Sequence, residues 1–341
     1  MNRHIPLRLL LTVLALSGAA AALVGFASGR ASTSTRAAVP SGNVGVLLQN
    51  AFVSVFRKVS PSVVQIQTPQ GLGSGVVFDA KGDIVTNDHV VGGATAFTVI
   101  TASGDRLKGT LVGEFQPDDL AVIRVRGAKL RPATFADSSK LRVGDIAMAI
   151  GNPLGLASSV TEGIVSALQR QEPEGNGVVL QNAIQTSAPI NPGNSGGALV
   201  DIGGEVIGIP TLAAQDPQLG GAAAGIGFAI PSNTVRSIAS QIVAYGHVVN
   251  SGRPYLGIEI GDTGNGVYVG KVNAGSPADK AGLRVGDVIV ALDGKPTVTS
   301  DDLGTLLAAH KPGDVVTLKV RRQGGATATL RVRLGEFPGG S

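Results

Sequence analysis

The sequence predicts a mainly β fold divided among several domains, and three observations lead there. Its 341 residues suffice for two or three separate cores. Hydrophobic residues make up 43% and aromatics only 4%, with no tryptophan and 49 glycines; this suits short strands and tight turns better than helical bundles. From Pro61 onward, strand-length apolar and β-branched runs recur at Ser62–Gln67, Gly75–Phe78, Ala96–Ile100, Leu120–Val125, Ile146–Ile150 and Val206–Ile209.

Residues 1–30 begin with a positive stretch, Met1 to Arg8, followed by an apolar run from Leu9 to Ala27. This reads as a signal peptide or an N-terminal membrane anchor. Small residues at Gly25 and Ala27 suit cleavage, whereas the run length and the positive N-terminal flank favour a retained anchor with its N-terminus in the cytoplasm. Either way the bulk of the chain is exported. Residues 31–46, rich in Ala, Ser, Thr and Gly, read as a flexible linker. An amphipathic helix is expected over Leu47–Lys58, where Leu48, Phe52, Val55 and Phe56 recur at helical spacing. A first globular region then spans 47–247, and residues 248–254, with Gly252 and Pro254, read as a linker. In the last region, 255–337, a short helix around Ala278–Ala281 is stopped by Gly282 and turns into a buried strand ending at Asp293–Gly294. Ser300 is expected to cap a helix running to about His310, with Leu303, Leu306 and Leu307 on its apolar side.

The chemistry centres on Asn191-Pro192-Gly193-Asn194-Ser195-Gly196-Gly197, one serine among turn-permissive residues ahead of the strand-like Ala198–Val200. A nucleophilic serine must project into a cleft beside N–H groups aimed at a developing oxyanion. It also needs a base to take its proton and a third group to orient that base. Of the four histidines, His4 lies in the leader, and His247 and His310 follow the region that could form a site with Ser195; His89, at the end of a strand-like segment, remains. Asp119, immediately before an apolar strand, is the candidate orienter, with Asp118 its rival.

Thr86-Asn87-Asp88-His89-Val90-Val91, Asp119-Leu120-Ala121-Val122, Gly151-Asn152-Pro153, Gly193-Asn194-Ser195-Gly196-Gly197 and Gly225-Ile226-Gly227-Phe228-Ala229-Ile230-Pro231 resemble the signature blocks of the HtrA (Deg) family, in the family's order. Gly275 to Ile289 resembles the PDZ signature of bacterial proteases. The resemblance implies two six-stranded antiparallel barrels of the trypsin-like fold followed by one PDZ domain, as in DegS-like members. It implies a catalytic His89, Asp119 and Ser195, an oxyanion hole from the Gly193 and Ser195 N–H groups, and a substrate pocket at Pro189, Ile190 and Ala213. With no acid at Pro189, small aliphatic residues are expected before the scissile bond. Tyr255, Leu256, Gly257 and Ile258 would receive a peptide C-terminus beside Leu303 and Leu307. The implied activity is endoproteolysis of unfolded or damaged envelope proteins, regulated by C-terminal peptides at the PDZ domain. A signalling protease cutting one partner, or a chaperone-like scaffold, is the alternative. A homotrimer is implied through the N-terminal helix. Three departures stand out: Ser187 where the family has Asp, Pro189 where it has Ala, and Pro210 near the strand that pairs with substrate. The segments Gln169–Val178 and Ala213–Ala224 are expected as moving loops.

Four arginines in the first 40 residues, which hold no Asp or Glu, account for the whole formal charge of +4. The remainder is neutral, so charge gives no argument for nucleic acid. The absence of cysteine excludes disulfides, thiolate metal sites and a cysteine nucleophile. No cofactor is expected. Gly71-x-Gly73-x-Gly75 lacks the lysine and the following helix of a phosphate loop, and reads as turn and strand.

Overall fold

The computed structural model describes residues 43–69, 71–152, 159–175, 178–191, 193–216 and 221–338. The leader, including the apolar run 9–27, lies outside them; among the described residues no helix is long and apolar enough to cross a membrane. Helix α1 spans Val44–Val59, three residues earlier than the apolar spacing suggests, and buries Val55 and Val59. Val44, Leu47, Leu48 and Val53 stay exposed on it.

Six strands follow: β1 (Val63–Gln67), β2 (Leu72–Val77), β3 (Asp83–Thr86), β4 (Ala96–Ile100), β5 (Arg106–Phe115) and β6 (Leu120–Val125). They pair in the closed order β1-β2-β3-β6-β5-β4, and closure removes exposed sheet edges. A single helical turn, α2 (Asp88–Val91), follows β3. The second six are β7 (Ile146–Gly151), β8 (Ser159–Gly175), β9 (Val178–Thr186), β10 (Ala198–Val200), β11 (Val206–Asp216) and β12 (Gly221–Pro231). They close into a ring in the order β10-β11-β12-β9-β8-β7. Helix α3 (Ser232–Tyr245) packs its Val235, Ile238 and Ile242 into a core shared by both rings. The segments expected as loops are largely strand: β8 and β9 pair out to Gly175 and Val178, and β11 and β12 out to Asp216 and Gly221. The register shifts along both pairs, at points such as Pro210/Leu212 and Pro173/Gly175.

The last region holds the short strand β13 (Pro254–Tyr255), then β14 (Ile258–Asp262), β15 (Val267–Val272), α4 (Pro277–Lys280), β16 (Val288–Leu292), β17 (Lys295–Pro296), α5 (Ser300–Ala308), β18 (Val315–Arg321), β19 (Thr327–Arg333) and β20 (Gly335–Glu336). Its sheet runs β14-β15-β16-β18-β19 around a separate core, with β14 at one edge. The cap of α5 is Thr299 rather than Ser300. Thr299 and Asp302 form a reciprocal capping box, while the Ser300 hydroxyl donates to Asp262 at 2.5 Å and pins the helix start to β14.

Candidate active site

His89 is presented by α2, directly after β3. Asp119 ends a tight turn over Gln116–Asp118 and takes the left-handed conformation, φ 47°, which short polar side chains tolerate. Its carboxylate thereby turns back onto α2, accepting from the His89 main-chain N–H at 3.0 Å and lying 2.9–3.0 Å from His89 Nδ1. The Thr211 hydroxyl donates to the same carboxylate, and the Asn87 amide donates to the Asp119 carbonyl at 3.0 Å. Asp119 is 6% exposed and His89 is 48% exposed, so the acid is sheltered and the base faces the cleft. The rival, Asp118, points elsewhere: it pairs with Arg253, just before β13. Burial pushes the Asp118 carboxyl up, and Arg253 opposes that shift.

Ser195 precedes β10, and its hydroxyl donates to the Thr211 carbonyl at 3.2 Å. Thr211 is the extra residue at a bulge between Pro210 and Leu212, so one residue contacts both the acid and the nucleophile. Pro210 keeps a use despite lacking an N–H, because its carbonyl accepts from Gly196 at 3.1 Å. Among the described residues the N–H groups of Gly193 and Ser195 have no acceptor, so both remain available to an oxyanion.

Sequence reasoning missed Ser74, on β2, which fixes this loop. Its N–H donates to the Ser195 carbonyl at 3.0 Å and its hydroxyl to the Gly193 carbonyl at 2.5 Å. The same hydroxyl accepts from Asn152 N at 2.8 Å, and the residue is fully buried. Gly196 permits this approach: with φ 78°, a Cβ there would lie 2.2 Å from the Ser74 carbonyl oxygen. The Gly-rich run around Ser74 was the available signal, and its meaning lies in what presses against it.

Pro189 is exposed, and its carbonyl accepts from Thr161 at 2.8 Å and Asn194 at 3.4 Å. Ile190 is 9% exposed and lies over Gly227 so closely that a Cβ there would come within 2.4 Å of it. Ala213 falls on β11, and its side chain lies outside the described residues. Ser187 takes a main-chain role, its hydroxyl accepting from Ile164 N at 3.0 Å. His247 is exposed, and His310 sits between Asp293 and Asp314 at 3.4 and 3.8 Å, both outside the cleft.

In the last region, Tyr255, Leu256, Gly257 and Ile258 connect β13 to β14 and, with Leu303 and Leu307 of α5, line a cleft of about 230 Å³. Among the described residues the Leu256 and Gly257 N–H groups have no acceptor.

Two closed six-stranded rings, the first carrying the His89–Asp119 pair and the second followed from Ser195 into β10, define a trypsin-like peptidase fold with a further region appended. The trypsin-like peptidase domain family matches residues 73–209, and the PDZ domain family matches 254–334. The pH-dependent periplasmic serine endoprotease DegQ of Escherichia coli is 41% identical over 75% of this chain and 57% of its own length. The Do-like serine protease HtrA of Lactococcus lactis is 36% identical over 90% of this chain and 88% of its own. A solved HtrA-type protease, AlgW with a decapeptide, superposes with a TM-score of 0.58 at 31% identity, covering 84% of this chain and 99% of that one. The chain belongs to the HtrA family of serine proteases. It spans about half the length of its Escherichia coli relatives.

Proposed function

We propose that the protein is an exported serine endopeptidase that cleaves unfolded or damaged envelope proteins. Its PDZ domain would bind C-terminal peptides and regulate the activity. The observation that carries the reading is the Asp119 carboxylate, which accepts from the His89 main chain and from Thr211 while holding His89 Nδ1 at 2.9–3.0 Å. That contact selects the tautomer with Nε2 free of a proton, the form that can deprotonate a serine. Ser195 would attack the scissile carbonyl, His89 would carry the proton to the leaving amine, and Asp119 would stabilise the imidazolium. The Gly193 and Ser195 N–H groups would bind the oxyanion.

Neither Pro189 nor Ile190 offers a partner for a cation, and a small aliphatic residue is expected before the scissile bond. Export is supported by the periplasmic relatives and by the apolar run in the leader. The exposed Val44, Leu47, Leu48 and Val53 of α1 support self-association, read here as a homotrimer. A monomeric mass in sedimentation equilibrium would remove that part.

Digestion of an unfolded model protein, wild type beside Ser195→Ala and read by mass spectrometry, tests the rest. Wild type should cut after Val, Ala or Leu, and the variant should lose on the order of 10⁶ in kcat. Equal cleavage by the two proteins, or cleavage mainly after Arg or Lys, contradicts the reading.

A further inference from the structure

Asn87 stands at the start of α2, where an asparagine oxygen ordinarily accepts from the first free N–H groups of a helix. It makes no such cap. The Asp119 carboxylate takes that place, accepting from the His89 main-chain N–H at 3.0 Å. The Asn87 amide instead donates to the Asp119 carbonyl at 3.0 Å, 32 positions along the chain. That bond fixes which way the amide faces, since a carbonyl oxygen can only accept. The other end of the amide is left over: Asn87 is fully buried, and its Oδ1 meets no donor among the described residues. An unmet buried acceptor destabilises a fold, so stability alone does not account for an asparagine here.

Asp119 holds φ 47° and ψ 48°, a conformation that strains a residue with a side chain. Two bonds pin the peptide planes on either side of it. Its N–H donates to the Gln116 carbonyl at 2.9 Å, and its carbonyl accepts from Asn87. We propose that Asn87 is a positioning residue for the proton-transfer pair: it locks the left-handed Asp119, so that one carboxylate stays aimed at both the main-chain N–H and Nδ1 of His89. This rests on the reading of His89, Asp119 and Ser195 as the catalytic trio. The two residues cap each other crosswise, Asp119 reaching the main chain of α2 and Asn87 reaching the main chain of Asp119. Turning Asp119 out of this conformation would carry its carboxylate off His89 and leave the imidazole free to hold its proton on Nε2.

The test uses the full chain, wild type beside Ser195→Ala, Asn87→Leu and Asn87→Asp, on a fluorogenic peptide that the wild type cuts. Asn87→Leu removes the donor and the unmet oxygen together at nearly constant size. Its melting temperature should stay within about 4 °C of wild type and KM within about twofold, while kcat falls about 10- to 100-fold. Asn87→Asp keeps the shape and makes donation depend on a proton. Ionised, the new carboxylate repels the Asp119 carbonyl; protonated, its O–H donates to that carbonyl. Burial and the Asp88, Asp119 and Glu114 carboxyls around α2 favour the protonated form, against attraction to a charged His89. The ratio of its kcat/KM to that of wild type, read from about pH 5 to about pH 9, should be low at alkaline pH and rise about tenfold or more toward acid pH. An added charge acting on His89 alone would hold the imidazolium to higher pH and lower the ratio toward acid, the opposite trend. If Asn87→Leu does not fold, the pH trend of Asn87→Asp decides. A folded Asn87→Leu with kcat within about twofold of wild type overturns the positioning role and leaves the trio standing. So does a ratio for Asn87→Asp that stays low or falls toward acid pH. Cleavage by Ser195→Ala equal to wild type overturns the trio and the proposal with it.

Discussion

The two seams of this molecule are built from different materials. Between the barrels, main-chain and hydroxyl hydrogen bonds cross in both directions: Ser74 reaches Gly193 and Ser195, Asn152 N reaches Ser74, and Thr211 reaches Asp119. One apolar core runs beneath them, from Val63 and Val76 through Ile150 and Val200 to Ile230 and Val235. Between protease and PDZ, α5 packs against β8 and β9, and an ion pair and ring contacts join the two regions. Arg253 joins Asp118 and donates to the Val179 carbonyl at 2.6 Å. Phe337 stacks edge-on between Phe115 at 6.0 Å and Tyr255 at 5.4 Å. A cleft remains beside them. Chemistry needs reacting groups held to fractions of an ångström, and the first seam supplies that through continuous packing and many hydrogen bonds. The second seam combines a buried ion pair, ring contacts and helix packing around a cleft.

The sharpest way to break the contrast is to cut the ion pair. Both partners are buried, Asp118 at 5% exposure and Arg253 at 8%. Removing one leaves the other without compensation, so Arg253→Met should destabilise the protein by about 3–5 kcal/mol. Adding Asp118→Leu to that variant should recover a large part of the loss, because the orphaned charge is then gone. Urea unfolding of the two single variants and the double variant gives the coupling. If the double variant is as unstable as the sum of the singles, the pair does not act as a unit and the seam is held elsewhere.

Ser74→Ala probes the other seam and should have a smaller effect. It removes one hydroxyl but leaves the Gly193 carbonyl and the Asn152 N–H without that partner, a cost of about 1–3 kcal/mol. Misplacing the loop by part of an ångström should lower kcat about 10- to 100-fold. KM should move little, since Ser74 is fully buried. A variant with normal kcat would show that the loop keeps its shape without this tether.

Much of this was legible in the sequence, and the gaps share a cause. Strand runs such as Ala96–Ile100 and Leu120–Val125 were readable because a buried strand needs a continuous apolar stretch, a purely local property. His89 and Ser195 stood in distinctive local settings. Asp118 and Asp119 could not be separated by composition, because the choice lies in a single left-handed φ that turns one carboxylate toward α2 and leaves the other for Arg253. Ser74 meets Gly193 across 119 positions, and a hydroxyl bonding to main chain leaves no pattern of its own. Thr211 was hidden for the same reason. The cap at Thr299 was missed by one residue because two adjacent hydroxyls fit equally well until Asp302 and Asp262 divide them.

The smallest expected effect sets two aspartates of the catalytic turn and helix against each other. Asp88 neighbours His89 on α2, and its carboxyl is pushed up to about 6, first by burial and then by Glu114 and Asp119, against a smaller attraction from His89. A raised carboxyl makes the folded state hold its proton longer than the unfolded chain does. Stability from this group is therefore complete below the unfolded value near 3.8 and falls as pH rises toward about 6. Asp88→Asn removes the titration, so it should match wild type at the acid end and exceed it above about pH 6, which thermal melting across pH 4–8 measures. The variant also loses a negative charge beside the imidazolium, and the acid limb of kcat/KM should shift to lower pH by less than about one unit. An acid limb that stays in place would mean that Asp119 alone sets the charge felt by His89. The barrel seam would then be electrostatically sealed as well as tightly packed.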